Sequence, residues 1–303
     1  MSQNGGKKAR YGVLTNGIHL YLSVVIRLGK EGRAIVRYLF FYWGLELMSS
    51  TKVEPAALIK ADDWQFQYHQ KSCRSSSNLT MLGYGTFDIQ PGVTSDEIYH
   101  HKEEALLFCI KGKVGVRIES QTFTLSYYDT LYIPLATPYV IENMSSEQAL
   151  LVVCKATAEN KHEPFHSSWE QFSQDKQRIR HLKGKDVYLM FDVTEKADKL
   201  MAGYTIYQPY TRAWPAHNHT DQEEVYIFTK GRGSMEVYAD EEHKTFVHSV
   251  EAMDAVTIPI LNFHPVFSQS EELHFIWCIA GQRYWVGDKN KDFMKGDSAE
   301  LTT

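Results

Sequence analysis

From Leu79 onward, apolar and polar positions alternate in short runs interrupted by Gly, Pro, Asn and Asp, with little sustained helical periodicity. Runs such as Leu106-Leu-Phe-Cys-Ile110 and Val225-Tyr-Ile-Phe228 carry the β-branched and aromatic residues that suit a pleated, buried surface. This pattern predicts an all-β protein of sandwich or jelly-roll type. A polar stretch at 159–185 separates two sets of strands. Within it, Ser167-Ser-Trp-Glu170 has the form of a capping box and predicts the start of a short helix. The tail from Gly287 to Thr303 is polar and expected to fray.

The strand pattern occurs twice, in the same order. Gly83-Tyr-Gly-Thr-Phe-Asp-Ile-Gln-Pro91 is answered by Gly203-Tyr-Thr-Ile-Tyr-Gln-Pro209, and Phe108-Cys-Ile-Lys-Gly112 by Ile227-Phe-Thr-Lys-Gly231. Asp129-Thr-Leu-Tyr-Ile-Pro134 is answered by Asp254-Ala-Val-Thr-Ile-Pro259, and Val153-Cys-Lys-Ala156 by Trp277-Cys-Ile-Ala280. Four ordered blocks imply duplication of one β domain. The expected organisation is a first domain over 48–165 and a second over 166–303.

Residues 1–47 differ from this pattern. Lys7, Lys8, Arg10, Arg27, Lys30, Arg33 and Arg37 stand there against only Glu31 and Glu46, in a chain whose net charge is -5. The apolar patch Tyr38–Trp43 is too short to span a bilayer, and Met48 opens a plausible natural start. The segment is expected to be an artefactual or disordered extension, with a membrane-surface or partner-binding arm as the alternative.

With 303 residues, 43% apolar and 23% charged, the chain has ordinary globular composition. Its acidity gives no general argument for nucleic acid or membrane as partners. Cys73, Cys109, Cys154 and Cys278 show no CxxC spacing, and most sit in apolar runs, as buried free thiols do. Without a secretory signal or an apolar run of spanning length, a cytoplasmic location is expected, with homo-oligomerisation left open.

The candidate chemistry lies in Pro215-Ala-His217-Asn-His219-Thr-Asp-Gln-Glu223-Glu224. On an extended strand, His217 and His219 share a face, and a turn would bring Glu224 back over it. His264, expected on the next long strand of a hairpin, supplies a fourth donor. Three imidazoles and a carboxylate suit zinc, iron, manganese or nickel rather than calcium or magnesium. In the first repeat, counting from Gly112 and Pro134 puts Ile98, His100, Ala105 and Tyr139 in the places of His217, His219, Glu224 and His264. One donor of four survives, so the second domain is expected to hold a single divalent ion.

The spacing from His217 through Glu224 to Gly231, followed by Pro259 and His264, resembles the two signature motifs of the cupin superfamily, which implies two tandem cupin (jelly-roll β-barrel) domains. Leu261 and Phe267 depart from it, standing where many cupins have Gly and Asn. Together with Phe263-His264-Pro and His274-Phe-Ile-Trp-Cys-Ile-Ala-Gly-Gln-Arg-Tyr-Trp285, the second domain is similar to the bicupin sugar-acid isomerases. That family contains 5-deoxy-glucuronate isomerase, of inositol catabolism, and 5-keto-4-deoxyuronate isomerase. The His-Pro and Ala-Gly-x-Arg-x-Trp elements lean to the first enzyme and Phe-Ile-Trp to the second.

The resemblance implies aldose–ketose isomerisation of a small-molecule sugar acid, a deoxy-hexuronate, with a divalent metal, commonly zinc, held by His217, His219, Glu224 and His264. Candidates for the proton-transfer group are Glu223, Tyr226 and Tyr284. Arg212, Arg232 and Arg283 are candidates for pairing with the substrate carboxylate. Each of these reads equally well as a surface arginine or a core side chain. The same ligands would also serve a dioxygenase or a ureide hydrolase, and a non-catalytic sugar-binding cupin is a third reading.

Overall fold

The computed structural model describes residues 78–213, 216–239 and 244–284, and before residue 78 the backbone of five strands. The chain divides into two units, Met1–Lys52 and Val53–Thr303. The first contains an antiparallel meander of β1 (Lys8–Thr15), β2 (Ile18–Leu28) and β3 (Ala34–Leu39). The expected extension 1–47 falls in this unit and, apart from these strands, lies outside the described residues, as does the polar tail after Tyr284.

The second unit is almost entirely β and consists of two jelly-roll barrels. The strands before and within the first are β4 (Leu58–Ile59), β5 (Gln67–Ser72), β6 (Leu82–Ile89), β7 (Glu103–Lys111), β8 (Val114–Ile118), β9 (Gln121–Leu125), β10 (Thr130–Ile133), β11 (Tyr139–Asn143), β12 (Ala149–Thr157) and β13 (Phe165–Ser167). Those of the second are β14 (Ile179–Leu182), β15 (Lys185–Phe191), β16 (Leu200–Tyr207), β17 (Gln222–Lys230), β18 (Arg232–Tyr238), β19 (Lys244–Glu251), β20 (Ala255–Ile258), β21 (Val266–Ser268) and β22 (Leu273–Gly281). In the first barrel a sheet ordered β13-β10-β7-β12-β6-β5 faces β11-β8-β9; in the second, β14-β15-β16-β22-β17-β20-β4 faces β19-β18-β21.

The expected division at residue 165 is crossed in both directions. β4, from before the first barrel, pairs with β20 of the second, and β13 extends past residue 165 while pairing with β10 of the first. The predicted short helix is α1 (Trp169–Phe172), but Ser168 makes no side-chain capping bond. The amide of Trp169 is instead bound by Asp129 Oδ1 at 2.7 Å, so a first-barrel carboxylate tethers the linker.

The repeated Lys-Gly pair has a backbone reason. Gly112 and Gly231 turn β7 into β8 and β17 into β18 at φ of 80° and 83°, the left-handed region that favours glycine. A Cβ on Gly231 would lie 2.0 Å from the carbonyl oxygen of Glu272.

Side-chain alternation gives each large sheet two buried faces. One face lines its own barrel: Leu107, Cys109, Leu151 and Val153 in the first, and Tyr226, Phe228, Phe275 and Trp277 in the second. The other faces form a single core between the barrels, where Leu106, Phe108, Tyr128 and Cys154 meet Tyr204, Val225, Ile276 and Cys278. Tyr204 stacks on Tyr128 with centroids 4.2 Å apart and meets Phe108 edge-on at 6.0 Å. Such aromatic pairs contribute roughly 0.5–1.5 kcal/mol each beyond the area they bury. No helix among the described residues is long and apolar enough to cross a membrane.

Candidate metal centre

Neighbouring residues of β17 serve opposite faces. Glu224 points into the second barrel with Tyr226, while Glu223 points towards the first barrel with Val225 and Ile227. The two histidines of His217-Asn-His219 lie in an irregular segment just before β17 rather than on a strand, and His264 lies between the bridge at Phe263 and β21. Prolines flank these loops, and a proline has no N–H to give to a ladder. The backbone joins them directly: Leu261 N donates to His219 O at 2.6 Å. Leu261 does so with φ at 64°, in the position where many cupins carry glycine. A side chain in that region costs roughly 1–2 kcal/mol, and the loop retains it while bringing His264 against His219.

The ligand atoms of His217, His219 and His264 lie within 4.8 Å of one another, and among the described residues this is the one such cluster. Glu224 Oε2 is 3.3 Å from His219 Nε2 and 3.0 Å from His264 Nε2. His219, Glu224 and His264 are almost fully buried.

The donors fit a metal ion. His264 Nδ1 is 2.9 Å from the carbonyl oxygen of Asn262; a carbonyl only accepts, so Nδ1 carries a proton, and in the singly protonated ring Nε2 presents a lone pair. That lone pair faces a carboxylate oxygen, and neither atom has a hydrogen-bond partner in the protein. Two acceptors at this distance attract each other only with positive charge between them, which a coordinated cation supplies. Burial lowers the pKa of His217 far below the usual imidazole range, with the neighbouring His264 and His219 adding to the effect, so this ring is neutral and ligand-competent. For Glu224, burial opposes ionisation, but the contacts from His219 and His264 outweigh it and leave its pKa below the usual value.

The cluster lines a cavity of about 620 Å³, part of it open to solvent. Alternation along four strands supplies much of the wall: Lys185 and Val187, Thr205 and Tyr207, Glu224 and Tyr226, and Phe275, Trp277 and Ile279. Arg180 and Leu182 of β14 complete one side. Burial, then the charge of Glu224, raises the pKa of Tyr207 and of Tyr226, so both remain phenols.

Of the sequence candidates for proton transfer and carboxylate binding, only Tyr226 lines this cavity. Glu223 is engaged elsewhere: its carboxylate accepts the amides of Thr80, Met81 and Leu82 at 2.6–2.9 Å and the Thr80 hydroxyl at 2.7 Å. Tyr284 is outside the cavity lining. Arg283 spreads its guanidinium over the carbonyls of Leu200, Glu195, Ala197 and Asp192, which fixes the approach to β16. Arg212 is exposed and lies over the ring of Phe267 at 5.1 Å, and Arg232 is exposed and pairs with Glu271 at 3.0 Å. The cations that do line the cavity, Arg180 and Lys185, come from the stretch read as a polar linker and its end. The signal was the period-two alternation of Arg180 and Leu182, then Lys185 and Val187, across Lys183-Gly184.

In the first barrel, His100 Nε2 is 2.9 Å from the hydroxyl of Tyr139. A hydrogen bond joins the two residues that correspond to His219 and His264.

The model of the KduI/IolB family matches residues 57–295. No curated protein matches the chain significantly. Among solved structures, it is similar to an IolB-like protein from Salmonella typhimurium LT2, at 16% identity over 82% of this chain and 100% of that one, with a TM-score of 0.63. It is also similar to a deletion mutant of the oxalate decarboxylase OxdC from Bacillus subtilis, at 15% identity over 81% and 82% of the two chains, with a TM-score of 0.61. Another structure of that decarboxylase, described for its Mn(II) centres, gives 14% identity over 78% and 79% and a TM-score of 0.59. At these identities the structures establish the two-barrel cupin fold. By the family match, which runs from before the first barrel to beyond the second, the chain belongs to the KduI/IolB family of sugar-acid isomerases.

Proposed function

We propose that the protein is a metal-dependent aldose–ketose isomerase of a deoxy-hexuronate, acting on 5-deoxy-glucuronate or on 5-keto-4-deoxyuronate. The observation that carries this reading is the convergence of His217, His219, His264 and Glu224 on one cavity of a family of sugar-acid isomerases, with buried atoms of His219, Glu224 and His264 left without a hydrogen-bond partner. A divalent transition ion, zinc or else manganese, iron or nickel, held by these four residues would supply Lewis acidity to a carbonyl and its neighbouring hydroxyl.

The chain's own residues account for other parts of the reaction. Tyr226, beside His264 with ring centroids 5.5 Å apart, keeps its proton on Oη and donates it to a substrate oxygen as negative charge builds there. Val187, Phe275 and Trp277 give the cavity an apolar wall that excludes water and strengthens every polar contact within it.

The test is to incubate the purified, metal-replete protein with each uronate in D2O and follow the sugar by NMR. Interconversion without a redox cofactor, with deuterium entering the reprotonated carbon, is expected. Inactivity towards both uronates would overturn the reading.

A further inference from the structure

Lys185 opens β15 directly after the turn at Gly184 and stands across from Tyr207 in the ladder. Its ammonium donates to the Tyr207 hydroxyl at 3.5 Å and lies 5.3 Å from the centre of that ring. No carboxylate among the described residues pairs with it. Burial, and then the charge of the neighbouring Arg180, draws its pKa down to about 8. A buried ammonium is costly unless an anion compensates it. Here Lys185 lines a cavity whose only carboxylate, Glu224, belongs to the metal-binding cluster; Arg180, which lines the same cavity, already feels the charge of Asp192.

We propose that Lys185, with Arg180 beside it, is the anion-binding subsite of this cavity and holds the carboxylate of the sugar acid. The proposal rests on the isomerase reading for the identity of the ligand, but not for the existence of the subsite. An arginine and a lysine on one hairpin suit a carboxylate: the planar guanidinium pairs with both oxygens, and the ammonium donates to either. Binding the anion restores the charge balance that burial makes expensive. It also fixes the sugar acid by its carboxyl end within the cavity lined by the metal-binding residues. Arg212, Arg232 and Arg283 have no place in that lining.

The test is isothermal titration of the metal-loaded full chain with D-glucuronate, D-glucose and D-glucose 6-phosphate. Glucuronate should bind about tenfold or more tightly than glucose, as a charge-assisted hydrogen bond predicts. Lys185→Met should bring that preference to about twofold while leaving metal content and the affinity for glucose unchanged. Lys185→Arg should retain it, and Arg180→Met should reduce it by a second route. Glucuronate binding no tighter than glucose would overturn the subsite, as would a preference that survives in Lys185→Met. Tighter binding of the 6-phosphate than of glucuronate would also overturn it, in favour of a phosphosugar. A Lys185→Met variant with lower kcat but an intact preference would make the lysine a proton carrier and equally overturn it. If neither uronate is isomerised but the preference depends on Lys185, the subsite stands and only the reaction falls.

Discussion

Glu104 and Glu223 hold corresponding places in the two barrels, each eight residues before the glycine that turns its strand, and each binds the other barrel's chain. Glu223 accepts the amides of Thr80, Met81 and Leu82, which lead into β6. Glu104 accepts those of Asp198, Lys199 and Leu200, which lead into β16, together with the Tyr132 hydroxyl. The clamp is reciprocal, and both carboxylates sit at the edge of the core between the barrels.

Glu223→Gln and Glu104→Gln should therefore destabilise the protein to a similar extent. Each replaces charge-assisted bonds and leaves a buried amide facing an amide donor, at a cost of about 2–3 kcal/mol. For a protein of this size that lowers Tm by roughly 5–10 °C. Differential scanning calorimetry checks the shift and elemental analysis the metal, which should be retained. A Glu223→Gln variant of unchanged Tm that had lost isomerase activity would restore Glu223 as a proton-transfer group.

Metal content should be one ion per chain and confined to the second barrel. His219→Ala, His264→Ala and Glu224→Ala should each lose it, because a buried site with three donors and a hole no longer closes the coordination shell. His100→Ala and Tyr139→Phe should leave it unchanged. Two ions per chain by elemental analysis would show that the first barrel also coordinates metal.

Arg283→Lys should act on stability rather than on substrate. A lysine cannot bond four divergent carbonyls, and stranding two or three of them costs about 2–4 kcal/mol in total. The expected result is a lower urea midpoint with KM for the uronate unchanged. A raised KM at constant stability would return this residue to the substrate-binding set.

His100 makes a pH prediction. Burial, and then the charge of Lys155, pulls its pKa from 6.5 to about 4, against a smaller opposing effect of Glu103. The unfolded chain therefore binds the proton more readily than the folded one, so the neutral ring's contribution is full above pH 6.5 and is lost as pH falls towards 4. The upper bound is about 3 kcal/mol at one pKa unit per 1.36 kcal/mol. Urea unfolding of His100→Gln should show a shallower loss of stability than the parent between pH 6.5 and 4. Parallel curves would show that His100 does not titrate in that window.

The fold was legible because alternation and the fourfold block repeat are local signals, and both survive in the sequence of each barrel. The three histidines that the structure brings together, His217, His219 and His264, were among the residues singled out by their spacing. The strand assignment for His217 and His264 differed because His217 lies in an irregular segment and Pro259 and Pro265 break the ladder on either side of His264. The wider site was not legible. Glu223 and Glu224 are adjacent in sequence, and which of them enters the barrel depends on register, which the neighbouring β20 and β22 set. Arg283 resembles a substrate-binding arginine until the carbonyls of residues 192–200 are placed around it. Lys185 was hidden in a polar stretch, since a cation facing a cavity and one facing water look alike in a sequence.

The core shared between the barrels places the first repeat under two unequal constraints. Its interior has Ile98, Ala105 and Tyr139 at the places of three of the four candidate donors, and there packing is the constraint the structure shows. On its outer face, Leu106, Phe108, Tyr128 and Cys154 must also match the back of the sheet that carries Glu224. Removing the first repeat would expose that back as a broad apolar patch, the kind of surface that drives aggregation. The two barrels are therefore not separable units: a chain cut down to the second alone would lose the cover of the sheet that carries Glu224.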